Sequence, residues 1–491
     1  MATTVNLKRL LHRKSWELCT PSIGHNNGIT TAAGSFVVSD KFDLLSDARA
    51  FFINGASGIY RYEGAEDAWF QIPNSGIAGA FAAGSCGEFR ALGAMGGVFT
   101  QTATAGTTTT ITTNRTITKS LAGNRIRVIA GTGIGYDSTI TSNTLGANAV
   151  LTVPVNGVAF DATTQYQIYS GSLWFFNAGT TAVGFSVYDI ATNVWTARSV
   201  TGLPTAFGTS GRLVSTLGSA EIFASGTSTG TNTTTTLNNT GKNWRVNQWA
   251  NYQVRITAGT GIGQIRTIAS NTATALTVSV AWTVTPDATS VYALEGNDDY
   301  MYLLGNNAVT LYRFVVSTNT WSTLAPTAAR AAAAGAGFGA NWIDGVTGWA
   351  LPPNENPPVN DQAGLVFKQN GRYIFSFRGG ASSALDIYDI AANTWISTQS
   401  YGNQNETFTT GSDFVDYNGI IYCQKESTSR IMKFDINKWV MMPYTSHPYP
   451  HSTIVEGSKM FILPYTDGGT TIVFLYTQNH TNSYLLRQVV F

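Results

Sequence analysis

The chain has 491 residues, with 29 Lys or Arg against 28 Asp or Glu, a formal net charge of +1 and only 12% charged residues. That balance excludes a globally basic nucleic-acid binder and a surface drawn to acidic membranes. No apolar run approaches the ~18 residues of a membrane span. Three widely spaced cysteines (Cys19, Cys86 and Cys423) exclude a disulfide framework and read as buried free thiols.

With so few charges, the surface must be built largely from Thr, Ser, Asn and Gly. Such a surface suits packing against neighbours better than free life as a cytosolic enzyme. The opening stretch, residues 1–22, is basic and lacks an uninterrupted apolar run before a small-residue cleavage site. It does not read as a signal peptide, so folding in a cytoplasm is expected.

Residues 1–33 read as an extended N-terminal arm. Its basic groups are Lys8, Arg9, His12, Arg13 and Lys14, and its candidate anchoring hydrophobes are Leu10, Leu11 and Trp16. The preferred reading is an arm that reaches a neighbouring subunit; the alternative is an arm that folds back to cap the molecule. Repeats begin at residues 34–100 and continue through 171–223 and 297–491. They are interrupted by two insertions, residues 101–170 and 224–296.

The repeat is an aromatic residue, a polar turn and a Trp. Tyr62 precedes Trp69, Tyr188 precedes Trp195, Phe314 precedes Trp321 and Tyr388 precedes Trp395, each by seven residues, while Phe434 precedes Trp439 by five. This spacing predicts a hairpin. Asn193, Asn319 and Asn393 stand two before the Trp, where a left-handed backbone residue costs Asn little. Large aromatics on a sheet face need a second sheet to cover them.

A short aromatic-rich strand precedes each hairpin, as in RAFFINGAS (49–57), SLWFFNAGT (172–180) and RYIFSFRGG (372–380). Upstream of most units lies a small-residue run such as IAGAFAAGS (77–85), TAFGTSGRLVST (205–216) or AARAAAAGAGFGAN (328–341). Small side chains suit strands that converge on a shared axis. For the Ala-rich run the rival reading is a helix, and interleaved Gly335, Gly337 and Gly339 favour the strand. Four such strands make one blade, and about six blades make a ring. The pattern, best in YIFSFRGG…LDIYDIAANTW with Gly379, Gly380, Tyr388 and Trp395, resembles kelch-repeat β-propellers. That resemblance implies an all-β, six-bladed fold.

The Trp-to-Trp intervals of 126, 126, 74 and 44 residues locate the insertions, which are copies of each other. RVIAGTGIG (127–135) matches RITAGTGIG (255–263), LTVPV (151–155) matches LTVSV (276–280), and DATTQYQIY (161–169) matches DATSVYALE (287–295). Thr-rich alternation with Gly turns predicts a small β-barrel or sandwich in each. Each is expected to enter between the first and second strands of its blade, so that the two project side by side from one face. The module resembles a β domain that recurs in structural and tail proteins of tailed bacteriophages. The first copy departs from that pattern at Tyr136-Asp137-Ser138.

Signals for chemistry are weak. GTGIG is followed by a β run rather than a helix, so a hairpin turn is expected instead of a phosphate loop. Prolines in HPYPH (447–451) keep His447 and His451 off a common helix face. EGNDD, with Glu295, Asp298 and Asp299, lacks the alternating spacing of calcium loops and reads as a solvated loop. The Tyr, cross-linking Cys and His set of copper-radical kelch oxidases is not evident, and carboxylates for glycoside cleavage cannot be assigned from spacing. NENPPVNDQAG (354–364) reads as a linker or contact loop. No cofactor and no metal are expected.

The resulting expectation is a non-enzymatic virion structural protein of a tailed bacteriophage, on the tail, collar or capsid surface, contacting other virion proteins through residues 1–33. The alternative is an adhesin for host surface glycans, with Trp244, Trp249 and Trp282 as sugar-stacking platforms.

Overall fold

The computed structural model is all-β, with no helix among the residues it describes. Those residues are the strands named below, the stretches 99–169, 192–205, 222–297 and 310–326, and short segments joined to them. No helix among them could cross a membrane.

β1 (Glu17–Leu18) comes first. β2 (Phe36–Ser39), β3 (Arg49–Ile53), β4 (Ile59–Glu63) and β5 (Ala68–Ile72) then make an antiparallel sheet in chain order. β6 (Cys86–Phe89) starts the next sheet, but the chain leaves it for a separate unit. That unit comprises β7 (Phe99–Gly106), β8 (Thr110–Thr113), β9 (Arg125–Ala130), β10 (Asp137–Thr139), β11 (Ser142–Asn143), β12 (Val150–Thr152) and β13 (Gln165–Tyr169). The chain returns as β14 (Ser172–Asn177), which pairs with β6, and continues through β15 (Gly184–Asp189) and β16 (Val194–Ala197).

The excursion is then repeated. β17 (Arg212–Ser215) is followed by a second unit of β18 (Ile222–Thr227), β19 (Thr236–Asn238), β20 (Gln253–Ala258), β21 (Ile265–Asn271), β22 (Ala275–Val278) and β23 (Val291–Glu295). β24 (Tyr300–Leu304) pairs back with β17, and β25 (Leu311–Val315) and β26 (Thr320–Leu324) complete that sheet.

Two uninterrupted sheets follow: β27 (Gly337–Asn341), β28 (Tyr373–Arg378), β29 (Ala384–Asp389) and β30 (Thr394–Ser400), then β31 (Asp413–Tyr417), β32 (Ile420–Gln424), β33 (Arg430–Asp435) and β34 (Val440–Ser446). β27 lies in the Gly-interleaved end of the Ala-rich run, as the strand reading expects; residues 328–336 lie outside the described residues. The last sheet holds β35 (Lys459–Asp467), β36 (Thr470–Gln478) and β37 (Leu485–Val489). Its fourth strand comes from the other end of the chain: Glu17 pairs with Arg487 and Leu18 with Leu486. Part of the 1–33 segment is therefore a strand of this protein's own sheet, whereas Leu10, Leu11 and Trp16 lie outside the described residues.

The hairpin residues are the local reason for these sheets. Tyr62 faces Trp69, Tyr188 faces Trp195, Phe314 faces Trp321 and Tyr388 faces Trp395, directly across the third and fourth strands. Their ring centroids are 5.1, 4.8, 5.0 and 5.3 Å apart, and all eight side chains are buried. Asn193, Asn319 and Asn393 take φ of 57°, 54° and 50°, the left-handed turn that lets a seven-residue spacing bring the rings opposite each other. The Asn193 and Asn393 side-chain oxygens also accept from the Tyr188 and Tyr388 hydroxyls.

The fifth repeat departs from this pattern. Phe434 faces Met441, which is buried, because seven residues on from the aromatic is Met441 and not Trp439. Trp439 precedes β34 and lies outside the described residues.

Aromatic faces are covered by the next sheet. Phe51 packs on Tyr188, Trp174 on Phe314, Tyr302 on Tyr388 and Phe377 on Phe434. Tyr422 and Met460 share a cluster between the last two sheets, and Tyr62 packs on Phe461 of the last sheet. Hydrogen bonds reinforce the same seams. Trp195 Nε1 donates to Pro73 O at 2.8 Å and Trp321 Nε1 to Ser199 O at 2.9 Å, each on the loop beyond the preceding sheet's fourth strand. Burying each such ring contributes roughly 1.5–3 kcal/mol. The first strands are also neighbours in turn: β2 lies beside β6, β6 beside β17, β17 beside β27, β27 beside β31, β31 beside β35, and β35 beside β2.

Candidate interaction surface on the paired modules

The two inserted units share a strand plan. β13 lies between β7 and β9, and β23 lies between β18 and β20. Each sheet curls over its own core: Ile126, Leu151 and Tyr166 in the first, Val254, Leu276 and Tyr292 in the second. Each also buries an arginine. Arg125 pairs with Asp137, and Arg255 Nε reaches Glu295 Oε1 at 2.5 Å.

The first unit stands on the sheet that carries it, and the second reaches the sheet that follows its own, at the end of β29. Thr139 Oγ1 donates to Asp189 Oδ2 at 3.1 Å, and Asn251 Nδ2 donates to Ile390 O at 2.9 Å. β9 rises from that end for roughly 20 Å at about 3.3 Å per residue. Its far end is the GTGIG loop, which is a hairpin turn with Gly131, Gly133 and Gly135 at φ of 75°, 84° and 87°. The second copy repeats this at Gly259, Gly261 and Gly263, with φ of 75°, 84° and 86°. A Cβ at Gly131 would sit 1.9 Å from Thr163 O, and one at Gly259 2.0 Å from Thr289 O, so close backbone approach demands glycine there.

A matching side-chain clasp closes each tip. In the first copy Thr132 Oγ1 donates to Asp161 Oδ2 at 2.8 Å, and Asp161 Oδ1 accepts from Thr163 N–H at 2.8 Å and Thr163 Oγ1 at 2.6 Å. In the second, Thr260 Oγ1 donates to Asp287 Oδ2 at 2.8 Å, and Asp287 Oδ1 accepts from Thr289 N–H at 2.7 Å and Thr289 Oγ1 at 2.6 Å. The Thr163 hydroxyl and amide and then the Thr132 hydroxyl hold the Asp161 carboxyl below the usual carboxylate range. For Asp287 the Thr289 hydroxyl leads and Thr260 follows.

Tyr136-Asp137-Ser138, where the copies diverge, changes how the loop is tied but not that it is tied. Tyr136 Oη donates to Pro154 O at 2.6 Å in the first copy. At the same place in the second, Gln264 Nε2 donates to Val284 O at 2.8 Å and Gln264 Oε1 accepts from Thr283 N–H at 2.8 Å. The tied loops present apolar side chains to solvent at matching positions: Ile134, Val155 and Val158 in one copy, Ile262, Val280 and Val284 in the other. Single exposed apolar residues are ordinary; three at one loop end, repeated in two copies, form candidate contact patches.

The two copies also touch each other. Leu145, on the turn between β11 and β12, lies against Gly263, where a Cβ would be 2.1 Å from Leu145 Cδ1. Nothing in the repeats pointed to Leu145. The one available signal was that the turn at 144–149 is longer than its counterpart at 272–274.

The other candidate residues take different roles. Trp244, Trp249 and Trp282 are enclosed in the core of the second unit, not displayed as sugar platforms. Glu295 is buried against Arg255, and Asp299 Oδ1 accepts from Ser317 N–H at 2.7 Å, so this pair is structural and does not form a solvated loop. No group of three or more His, Cys, Asp or Glu side chains among the described residues could hold a metal ion. Burial pushes the Cys86 thiol up to about 12 and raises that of Cys423 well above its ordinary value, the inert state of a core cysteine. His447, His451, Cys19, Asp298 and residues 354–364 lie outside the described residues.

No protein-family model matches the chain, and no curated protein matches it. Among solved structures, the computationally designed Ika8 protein aligns with 96% of this chain and 100% of its own at 8% identity and a TM-score of 0.31, too loose a likeness to carry an argument.

Proposed function

We propose that this chain is a non-enzymatic structural protein of a tailed-bacteriophage virion, an assembly and interaction scaffold on the tail, collar or capsid surface. In this reading the six four-stranded sheets form a kelch-like propeller, and the two inserted units are small β-barrels standing on one of its faces. The cycle of neighbouring first strands and the ring-to-ring packing of successive sheets support the propeller. The observation that carries the functional part is the pair of units, clasped in the same way and presenting apolar loop ends away from the sheets. Their sequence resemblance to phage structural modules supplies the setting. Trp244, Trp249 and Trp282 are enclosed and so do not serve the adhesin alternative as sugar platforms.

The test is incorporation. Purified particles from a host carrying this gene should contain the chain in fixed proportion to the other virion proteins; its absence from them overturns the virion reading. A deletion of residues 1–16 stops before β1, so it should leave the melting temperature unchanged and prevent incorporation. Normal incorporation of that variant would remove the anchoring role of Leu10, Leu11 and Trp16. Deletion through Leu18 should in addition lower the melting temperature, because β37 loses its outer partner.

A further inference from the structure

The contact between the two units is head to tail: a turn of the first meets the GTGIG loop of the second. A head-to-tail contact joins two different patches, so a row of two leaves one patch of each kind over, one at either end. The second unit has no counterpart of the knob. Its turn at 272–274 is short, with Ala273 and Thr274 where the first unit extends Leu145. The first unit does have the loop patch, and it is open. A Cβ at Gly135 meets nothing within 4 Å, and Ile134 is 69% exposed, whereas its counterpart Ile262, beside the seated Leu145, is 40% exposed.

Both halves of the contact are rigid. Leu145 is held by an isolated bridge, with Ile117 N–H donating to Gly146 O at 3.0 Å and Gly146 N–H to Ile117 O at 2.8 Å. The open loop is held by Tyr136 and by the Thr132–Asp161 clasp. Two ordered partners lose little conformational entropy on meeting.

We propose that the Ile134–Gly135 loop is a docking site for a neighbouring protein's β module, which seats an aliphatic side chain on a tight turn there as Leu145 seats on Gly263. A second copy of this chain is a poor occupant, because the Leu145 turn of its first unit already lies against Gly263 of its own chain, although Leu145 stays 45% exposed, and its second unit lacks the extended turn. The inference rests on the two units alone and stands apart from the virion reading.

The test uses the full chain with isotope-labelled Ile methyl groups and, as probe, a cyclised peptide of the sequence of residues 141–152. The expected result is a shift of the Ile134 methyl that saturates at about millimolar peptide, with Ile262 unmoved. A peptide carrying Leu145→Ala should bind about tenfold more weakly or worse, from the lost aliphatic burial. An unmoved Ile134 methyl, or equal shifts with both peptides, overturns the proposal. Concentration-dependent self-association of the unmodified chain that disappears in Ile134→Asp also overturns it, by making a second copy the occupant.

Discussion

The two inserted units show what duplication preserves and what it lets drift. The Thr–Asp–Thr clasp and the three positive-φ glycines of the GTGIG loop are the same in both. Packing has been exchanged around them. Phe160 packs on Tyr136 in one copy, while Trp282 lies under the Arg266 guanidinium in the other. The buried arginine has moved, from Arg125 with Asp137 to Arg255 with Glu295. β10 and β11 are separate strands where β21 is continuous. Backbone geometry in a tight turn tolerates few residues, whereas core volume and charge pairing can be satisfied in several ways.

The sharpest way to break the comparison is through the buried ion pairs. Glu295→Ala leaves Arg255 charged and enclosed and should destabilise the second unit by about 3–5 kcal/mol. Asp137→Ala should cost the first unit less, because the Asp137 side chain is 26% exposed and water can take its place. Urea unfolding with hydrogen exchange read separately over residues 99–169 and 222–295 distinguishes them. The two arginines are equally enclosed, so equal losses would mean that the partial exposure of Asp137 gives water no way to replace it.

The glycines sharpen the other side of the comparison. Gly131→Ala and Gly259→Ala should cost the same, about 2 kcal/mol or more, since each adds a carbonyl clash to left-handed strain. Gly135→Ala should cost only the strain, and Gly263→Ala more, because Leu145 must move. Thermal melts of the four variants rank them, and a Gly135→Ala as costly as Gly263→Ala would show that the Leu145 side chain turns aside freely.

The smallest expected effect is on pH. The Asp161 and Asp287 carboxyls are held below their unfolded value, so the clasps contribute stability above the usual carboxylate range and lose it as pH falls through the lowered folded values. The protection factors of the Thr163 and Thr289 amides, taken against their intrinsic exchange at each pH, should fall together in acid, and Asp161→Asn should remove the step in the first unit alone. A fall in only one unit of the unmodified chain would show that the clasps are not equivalent.

Much of this fold was legible because its causes are local. A seven-residue spacing around a left-handed Asn places Tyr388 opposite Trp395 whatever surrounds the hairpin, and a repeat that keeps that spacing keeps that register. The fifth hairpin shows the limit. The eye follows Trp439, but cross-strand register follows residue count and selects Met441. The candidate surface was less legible. Ile134 and Ile262 are identical letters in identical motifs, yet Ile134 is 69% exposed and Ile262, next to the Gly263 that Leu145 meets, 40%.

The amino-acid order alone determined the strand-rich hairpins, the duplication and the glycine turns, because turn chemistry and side-chain alternation act between near neighbours. Tertiary structure alone decided that Glu17–Leu18 completes the last sheet, that three tryptophans of the second unit are enclosed, and that Leu145 meets Gly263. Those outcomes depend on which strand edge is left unpaired and which apolar face is left uncovered once distant segments have come together, a matter of burial across the whole molecule.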